Sequence, residues 1–310
     1  MAKNFEFINL TKTIQNSIIK AQVSTCGAAI KSLSVNGIDM ITPTIGHELN
    51  PYADGIVMAP WANRIDRGIW ELNGEKLQLE ITDTEFGNAT HGLIKQQLFD
   101  IKKQSDSEVT LETVIMPSAG YPFEILVQVN YRLTDAGLEI NFEAKNLSDS
   151  VAPFIIGGHP YFQIGDTDSG ELEVKTAGTR VVLADERKIP TETIAIAGTE
   201  FDISNWRKVS DCDFDNGFFD MNFSADGHAH HYLRAPNGLM LDIWQSKELK
   251  YAFIFTPSFF NNLLDENRRY AIAIEPQSGP ANAFNTNEDL TWLQPGEIFK
   301  ASWGVELSGH

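Results

Sequence analysis

Apolar residues recur at every second position through the middle of the chain, and this alternation constrains the fold more than any other feature of the sequence. It runs through EILVQVNYRL (124–133) and LEINFEAK (138–145), which the short segment TDAG (Thr134–Gly137) joins. A period of two is typical of a β-strand with one buried face. The two segments are therefore predicted to pair as an antiparallel hairpin with one face in the core. Val109–Ile115 and Tyr251–Phe255 follow the same pattern.

Turn signals between the apolar runs extend this prediction to the whole chain. The pairs Asn36-Gly37, Asn73-Gly74 and Asn237-Gly238 each predict a tight hairpin, because a type I′ turn needs positive φ at both central residues. Helical signals are weak, and Asn261–Tyr270 is predicted to form one short helical turn or a loop. With no repeat and no linker in the sequence, we expect residues 1–310 to form one all-β domain, a large antiparallel β-sandwich with few short helices.

The net charge limits the classes of binding partner, and the cysteine content indicates the redox state of the compartment. The formal net charge of −18 argues against nucleic acid and against an anionic membrane surface, and it favours a neutral small molecule. Cys26 and Cys212 follow no metal-ligand spacing, so free thiols in a reducing compartment are expected. The N-terminal segment has no apolar core of signal-peptide length, and no run approaches about 18 apolar residues. The sequence thus predicts a soluble, cytoplasmic protein.

One carboxylate stands where a strand pattern gives way to turn-forming residues. The segment AIAIEPQSGPANAFN (271–285) alternates as a strand up to Glu275, and Pro276 follows at once. Because proline cannot donate to a sheet ladder, the strand is predicted to end there. Glu275 is then either an ordinary solvent-exposed residue at a strand end or a firmly held carboxylate that faces a cavity.

Three further segments place polar side chains beside glycine or proline. In APWANRIDRG (59–68), Arg64 either pairs with Asp66 at the surface or directs its five donors at ligand hydroxyl groups. In GNATHGL (87–93), His91 is either satisfied by loop carbonyls or exposed to a ligand beside Gly92. In IIGGHPYF (155–162), His159 is either a core histidine or one whose backbone geometry matters, since Gly-Gly precedes it and proline follows.

Two segments raise the question of a metal site. Ser210–Asp220 carries alternating aspartates and a glycine, but it lacks the twelve-residue calcium-loop spacing with its terminal glutamate. His228-Ala229-His230-His231 could chelate from one strand face, yet no carboxylate or thiol stands at a matching spacing. We therefore expect no bound metal.

Taken together and in order, these segments resemble the aldose 1-epimerase (galactose mutarotase) family. The matching pieces extend from about Val23 to Trp303 and are PWANRIDRG, WELNGEKLQL, THG, GGHPYF, FDNGF and EPQSGPANAFN. The resemblance implies a galactose mutarotase-like supersandwich, which agrees with the strand pattern. Carried over motif by motif, it implies that Glu275 is the general base and His159 the general acid. The residues that it implies for sugar binding are Arg64, His91 and Asp215, with flat aromatic faces from Trp61, Tyr161 or Trp244.

The resemblance implies an enzyme that interconverts the α and β anomers of a free hexose such as glucose or galactose, without a cofactor, as a monomer or homodimer. A carboxylate and an imidazolium on opposite sides of the ring would exchange protons with the anomeric hydroxyl and the ring oxygen. Three alternatives remain open at this point. They are a hexose-6-phosphate epimerase, a non-catalytic carbohydrate-binding protein, and a glycoside hydrolase in which Glu275 and Asp215 flank a glycosidic bond.

Overall fold

A computed structural model describes residues 5–42, 53–258 and 270–309, and within these ranges the chain consists mainly of β-strands. The strands of the first half are β1 (Phe7–Ile14), β2 (Ser17–Ser24), β3 (Ile30–Val35), β4 (Ile38–Asp39), β5 (Val57–Met58), β6 (Arg64–Ile65), β7 (Ile69–Leu72), β8 (Glu75–Gln78), β9 (Ala89–Thr90), β10 (Asp100–Gln104), β11 (Glu108–Ile115), β12 (Ile125–Leu133), β13 (Gly137–Asn146) and β14 (Ala152–Phe154). The remaining strands are β15 (Gly157–Gly158), β16 (Tyr161–Phe162), β17 (Glu173–Lys175), β18 (Gly178–Ala184), β19 (Pro190–Ala195), β20 (Arg207–Lys208), β21 (Asp215–Met221), β22 (His228–Arg234), β23 (Met240–Ser246), β24 (Tyr251–Phe255), β25 (Ile272–Gln277), β26 (Thr291–Leu293) and β27 (Ile298–Ser308).

Helical structure in the described ranges is limited to single turns. They are the α-helix α1 (Ala283–Thr286) and the 3₁₀ turns Asp66–Gly68, Ser169–Glu171 and Val209–Asp211. No helix in these ranges has the length and apolar content needed to cross a bilayer. The predicted helical turn or loop at Asn261–Tyr270 lies, apart from Tyr270, outside the described residues.

Two large antiparallel sheets form the framework of the fold, as the alternation predicts. One has nine strands in the order β10-β11-β12-β13-β27-β23-β22-β17-β20. The other has eight, in the order β19-β18-β21-β24-β25-β15-β5, with β16 also paired to β25. A four-stranded sheet, β1-β2-β3-β4, and three two-stranded pairs complete the described structure. The all-β, sandwich-type fold class expected from the sequence is confirmed.

The predicted central hairpin is present, and its apolar face supplies much of the core. β12 and β13 pair in antiparallel register with Tyr131 opposite Ile140. Every second residue of β12, from Ile125 to Leu133, is buried, and these residues join a single cluster with Ile254 and Ile274 of the other large sheet. Burial of these faces removes apolar surface from water and so holds the two sheets together.

Two of the three Asn-Gly turns are the tight turns that the sequence predicts. Asn36-Gly37 and Asn73-Gly74 have positive φ at both residues and directly connect adjacent strands. At Asn237-Gly238 the predicted hairpin is present, since β22 and β23 pair in antiparallel register, but its turn is not type I′: residues 235–239 join the strands and only the glycine has positive φ. Pro236 is the reason, because its fixed φ favours the second position of an ordinary β-turn, which the bond from Gly238 N–H to the Ala235 carbonyl closes.

The strand that carries Glu275 also departs from the prediction, since β25 continues through Pro276 to Gln277. On one side, β24 pairs with it throughout, and Ala252 lies opposite Pro276. On the other side, β15 pairs at Gln277 and β16 at Ala273 and Ile272, so the ladder is interrupted between them. A proline is tolerated in a strand where one neighbour is locally missing. The interruption is the place where the chain turns at His159.

Candidate active site

Glu275 faces a cavity because of its position in the alternation of β25. Ile272 and Ile274 point into the main core, while Ala271 and Ala273 pack with Tyr161 on the opposite face. Glu275 follows that second face, and its side chain is only 2% exposed. The cavity next to it has a volume of about 840 Å³ and opens to solvent.

His159 lies in the gap between β15 and β16 and contacts Glu275 directly. Its Nε2 atom is 3.2 Å from Oε1 of Glu275, and its side chain is 6% exposed. Its backbone is fixed on both sides, since its N–H donates to the Ile56 carbonyl at 3.0 Å and its carbonyl accepts from the Gly55 N–H at 2.8 Å. The two groups that the resemblance implies as acid and base are therefore in direct contact, which differs from the expected placement on opposite sides of a sugar ring.

The two glycines before His159 allow this close approach. A Cβ atom on Gly157 would lie 2.8 Å from the Pro276 carbonyl oxygen and 2.9 Å from Cγ of Gln277. A Cβ atom on Gly158 would lie 3.2 Å from the indole ring of Trp303. Larger residues would push β15 away from β25, and His159 would then lose its contact with Glu275. The Gly-Gly pair thus has a packing reason that the sequence could only suggest.

Burial favours the uncharged forms of both groups. It lowers the pKa of His159 to about 4, an effect that the carboxylates of Asp54 and Asp215 partly oppose. It raises the pKa of Glu275 well above its ordinary value, and the charge of Asp215 adds to that rise. Both shifts therefore favour a neutral carboxyl group beside a neutral imidazole, a state in which the pair holds one proton. A buried acid–base pair of this kind can donate a proton and accept one without gaining net charge.

His91 borders His159 on one side of the cavity. The two rings pack edge to face with centroids 5.1 Å apart, and Nδ1 of His91 lies 3.0 Å from the sulfur of Met58. Because the thioether can only accept, the contact favours hydrogen on Nδ1 and leaves Nε2 as an acceptor. Burial and the nearby groups His159, Lys95 and Arg64 lower the pKa of His91, so the ring is neutral.

Arg64 lines the cavity but pairs with a different residue from the one that its sequence neighbours suggest. Its Nε atom donates to Oδ2 of Asp83 at 2.8 Å, whereas Asp66 forms an ion pair of 2.6 Å with Arg187. The guanidinium also lies over the ring of Phe86. One edge of the guanidinium is held by Asp83, so the side chain has little freedom to move when a ligand binds.

Asp215 is the first residue of β21, in the same sheet as Glu275, and it lines the cavity. It forms an ion pair of 3.0 Å with Lys188, which also lines the cavity. A third cation, Lys95, donates to the Thr90 carbonyl at 2.9 Å. Carboxylates and cations are thus interleaved around the cavity, which suits a neutral ligand rich in hydroxyl groups.

The aromatic surfaces of the cavity differ in part from those expected. Tyr161 lies against the His159 ring and lines the cavity, together with Phe253 and Phe255 of β24. Trp61 is instead buried, at 3% exposure, and packs edge to face on Phe284. It is not among the described residues that line the cavity. Trp244 packs on His228 over the nine-stranded sheet, so the structure does not bring it to the cavity either.

Sequence reasoning missed several residues that line this cavity. Those that bring a charge or an aromatic ring discussed above include Asp83, Lys95, Lys188, Phe253 and Phe255. For the two phenylalanines a signal existed, because the alternation of YAFIF places them on one face of a predicted strand. Asp83 and Lys188 carry no local signal, since each is recognisable only by its partner far away in the sequence.

No cluster of three or more potential metal ligands occurs in the described residues. The histidines of β22 alternate between the two sides of the sheet. His231 is buried, with Thr176 Oγ1 at 2.8 Å and Gln245 Oε1 at 3.1 Å. His230 lies on the other side, between the carboxylates of Asp242 and Asp226.

Known proteins resemble this chain over almost its whole length. A family model described as aldose 1-epimerase matches residues 11–305. The Escherichia coli protein YihR is 26% identical over 92% of this chain and 89% of its own. Galactose mutarotase from Bos taurus is 24% identical over 92% of this chain and 90% of its own. The structure of a GalM/aldose epimerase homologue from C. elegans superposes with a TM-score of 0.84 at 16% identity, covering 98% of this chain and 99% of that chain, which supports the fold.

Proposed function

Because the chain belongs to the aldose 1-epimerase family, we propose that it interconverts the α and β anomers of a free hexose such as glucose or galactose. The observation that carries this proposal is the contact between Glu275 and His159 beside a polar cavity. An anomeric hydroxyl and a ring oxygen are both bonded to the same carbon. A contacting carboxyl–imidazole pair can therefore reach both atoms from one side of the ring.

In the proposed reaction the proton of the resting pair moves to His159, which leaves Glu275 as a carboxylate base. Glu275 takes the proton of the anomeric hydroxyl, C1 and O1 form a carbonyl, and the bond from C1 to the ring oxygen breaks. His159 gives its proton to that oxygen. The aldehyde turns about its bond to C2, and the reverse transfers close the ring on the other face of C1. Acid–base groups of this type each contribute roughly 10²–10⁴-fold.

The charges of the cavity support a neutral sugar over a phosphorylated one. A phosphate would need cations free to clamp it. Two of the three cations discussed above, Arg64 and Lys188, are instead each paired with a carboxylate, Asp83 and Asp215 respectively. The third, Lys95, donates to the Thr90 carbonyl. We propose that Arg64, His91 and Asp215 bind sugar hydroxyl groups and that Tyr161 contributes an aromatic wall.

Two-dimensional exchange NMR on α- and β-glucose and α- and β-galactose tests the proposed function. We expect the purified protein to raise the rate of anomer exchange well above the buffer rate. Exchange at the buffer rate for all common aldoses would reject the proposal, and binding without exchange would indicate a carbohydrate-binding protein. Glucose 6-phosphate, assayed in parallel, tests the phosphorylated alternative.

A further inference from the structure

The carboxyl group of Glu275 has a second hydrogen-bond partner, which takes no part in the proposed proton transfers. Nε2 of Gln277 donates to Oε2 of Glu275 at 2.9 Å, while Oε1 faces His159. Glu275 and Gln277 are two residues apart on β25, so their side chains leave the strand on the same face. Each residue is 1% exposed. One oxygen of the carboxyl group is thus held by an amide and the other by the imidazole.

The sheet provides a fixed position for Gln277. Its backbone pairs with Tyr251 of β24 on one side and with Gly157 of β15 on the other. The side chain occupies space that a larger residue at 157 would fill, because a Cβ atom there would lie 2.9 Å from its Cγ. The glycine that lets β15 approach β25 therefore also makes room for this amide.

We propose that Gln277 is a positioning residue that fixes the plane of the Glu275 carboxyl group and stabilises its ionised form. This inference rests on the proposed function. Other charges near Glu275 belong to different elements: His159 between β15 and β16, Asp215 at the start of β21 and Arg64 on β6. Asp215 opposes ionisation of Glu275, whereas Arg64 and the Gln277 amide favour it. Gln277 favours the ionised carboxylate through a directed hydrogen bond. Hydrogen bonds to a charged acceptor are stronger than those between neutral groups.

Gln277→Met is the informative variant, because methionine keeps an unbranched side chain of similar length and removes the donor. We expect kcat for anomer exchange to fall about tenfold with little change in KM, since loss of one hydrogen bond to a charged group has an effect of that order. The acidic limb of the pH profile should move to higher pH. Gln245→Met is the matched control, because Gln245 is equally buried but bonds to the Leu249 and Tyr251 carbonyls and to the His231 ring instead of the Glu275 carboxyl group. A loss of stability alone would leave the pH profile of either variant unmoved.

A second readout keeps this inference separate from the proposed function. In protein labelled with ¹³C at glutamate side-chain carboxyls, the Glu275 signal is assigned by its absence in Glu275→Gln and titrated in wild type and Gln277→Met. We expect its midpoint to move to higher pH in Gln277→Met. An unchanged midpoint overturns the inference even if the wild type catalyses exchange. A shifted midpoint in a wild type without catalysis supports the Gln277 contact while rejecting the proposed function. If Gln277→Met does not fold, Gln277→Leu undergoes the same titration.

Discussion

His159 and Glu275 touch, with Nε2 and Oε1 3.2 Å apart and both side chains almost fully withdrawn from solvent. Two buried groups at this distance exchange a proton more easily than either exchanges one with water. Because burial shifts the pKa of each towards its neutral form, the pair enters the proposed reaction holding one proton.

Replacing the carboxyl group should remove catalysis while leaving the fold intact. Glu275→Gln keeps the size of the side chain and can still donate a hydrogen bond to His159, but it cannot accept a proton. We expect kcat to fall at least 10²-fold. Exchange NMR measures the rate, and saturation-transfer NMR checks that the sugar still binds. A rate within a factor of two of wild type would contradict the role proposed for Glu275.

Removing the charge of Asp215 should affect binding more than turnover. Asp215→Asn keeps the shape but weakens the acceptor for sugar hydroxyls and leaves Lys188 without its carboxylate partner. We expect KM to rise about tenfold. Because Asp215 raises the pKa of Glu275, the acidic limb of the pH profile should move to lower pH. Asp213→Asn, two residues earlier and exposed, is the matched control and should change neither quantity.

The aromatic wall of the cavity can be distinguished from the aromatic core by a pair of substitutions. Phe253→Ala removes a cavity-lining ring on the strand next to Glu275, where the two residues are register partners, and we expect KM to rise by about three- to tenfold. Trp61→Phe keeps a ring against Phe284 in the core, so KM should stay within a factor of two. Steady-state kinetics on both variants checks this. A larger change in KM for Trp61→Phe than for Phe253→Ala would indicate that Trp61 contacts the sugar.

A buried neutral histidine should make the protein less stable in mild acid. The pKa of His231 is lowered by burial to about 4. Between about pH 6.5 and 4 the unfolded chain binds a proton at this ring and the folded chain does not. The free energy of unfolding should therefore fall as the pH drops through this window. His159 adds little to this effect, because its partner Glu275 has a raised pKa and holds a proton that the unfolded glutamate releases. Chemical denaturation at a series of pH values measures the free energy of unfolding, and His231→Gln should reduce the slope. If the free energy of unfolding depends on pH equally in His231→Gln and in the wild type, His231 is not responsible for the loss of stability in acid.

The turn after His91 should be intolerant of any side chain. Gly92 has a φ of +73°, and a Cβ atom there would lie 2.1 Å from the Ala59 carbonyl oxygen. We expect Gly92→Ala to lower the free energy of unfolding by about 3 kcal/mol or more. Gly74→Ala is the matched control, with a φ of +86° and nothing within 4 Å, and should cost only about 1 kcal/mol. Equal losses in thermal or urea unfolding would mean that the close contact is unimportant.

The sequence by itself determined the strand content and the central hairpin, because these depend on local alternation. The motifs that resemble the family singled out Glu275 and His159, which the structure brings into contact. The sequence could not determine the path of β25 through Pro276, since that depends on which neighbouring strand is missing there. It also could not determine that Phe253 lines the cavity and Trp61 does not, because the sequence shows both only as aromatic residues beside turns or strands.

Tertiary structure alone decided how the site is assembled. The register that sets Phe253 opposite Glu275 and Gly157 opposite Gln277 joins segments far apart in the chain. The same is true of the ion pairs of Arg64 with Asp83 and of Lys188 with Asp215. The alternation along a strand predicts which face of the sheet a residue occupies, but only the pairing of strands determines which residues that face contacts. The contact between His159 and Glu275 arises from this pairing, since Gly157 lets β15 lie close against β25 and Gly158 leaves room for the Trp303 ring.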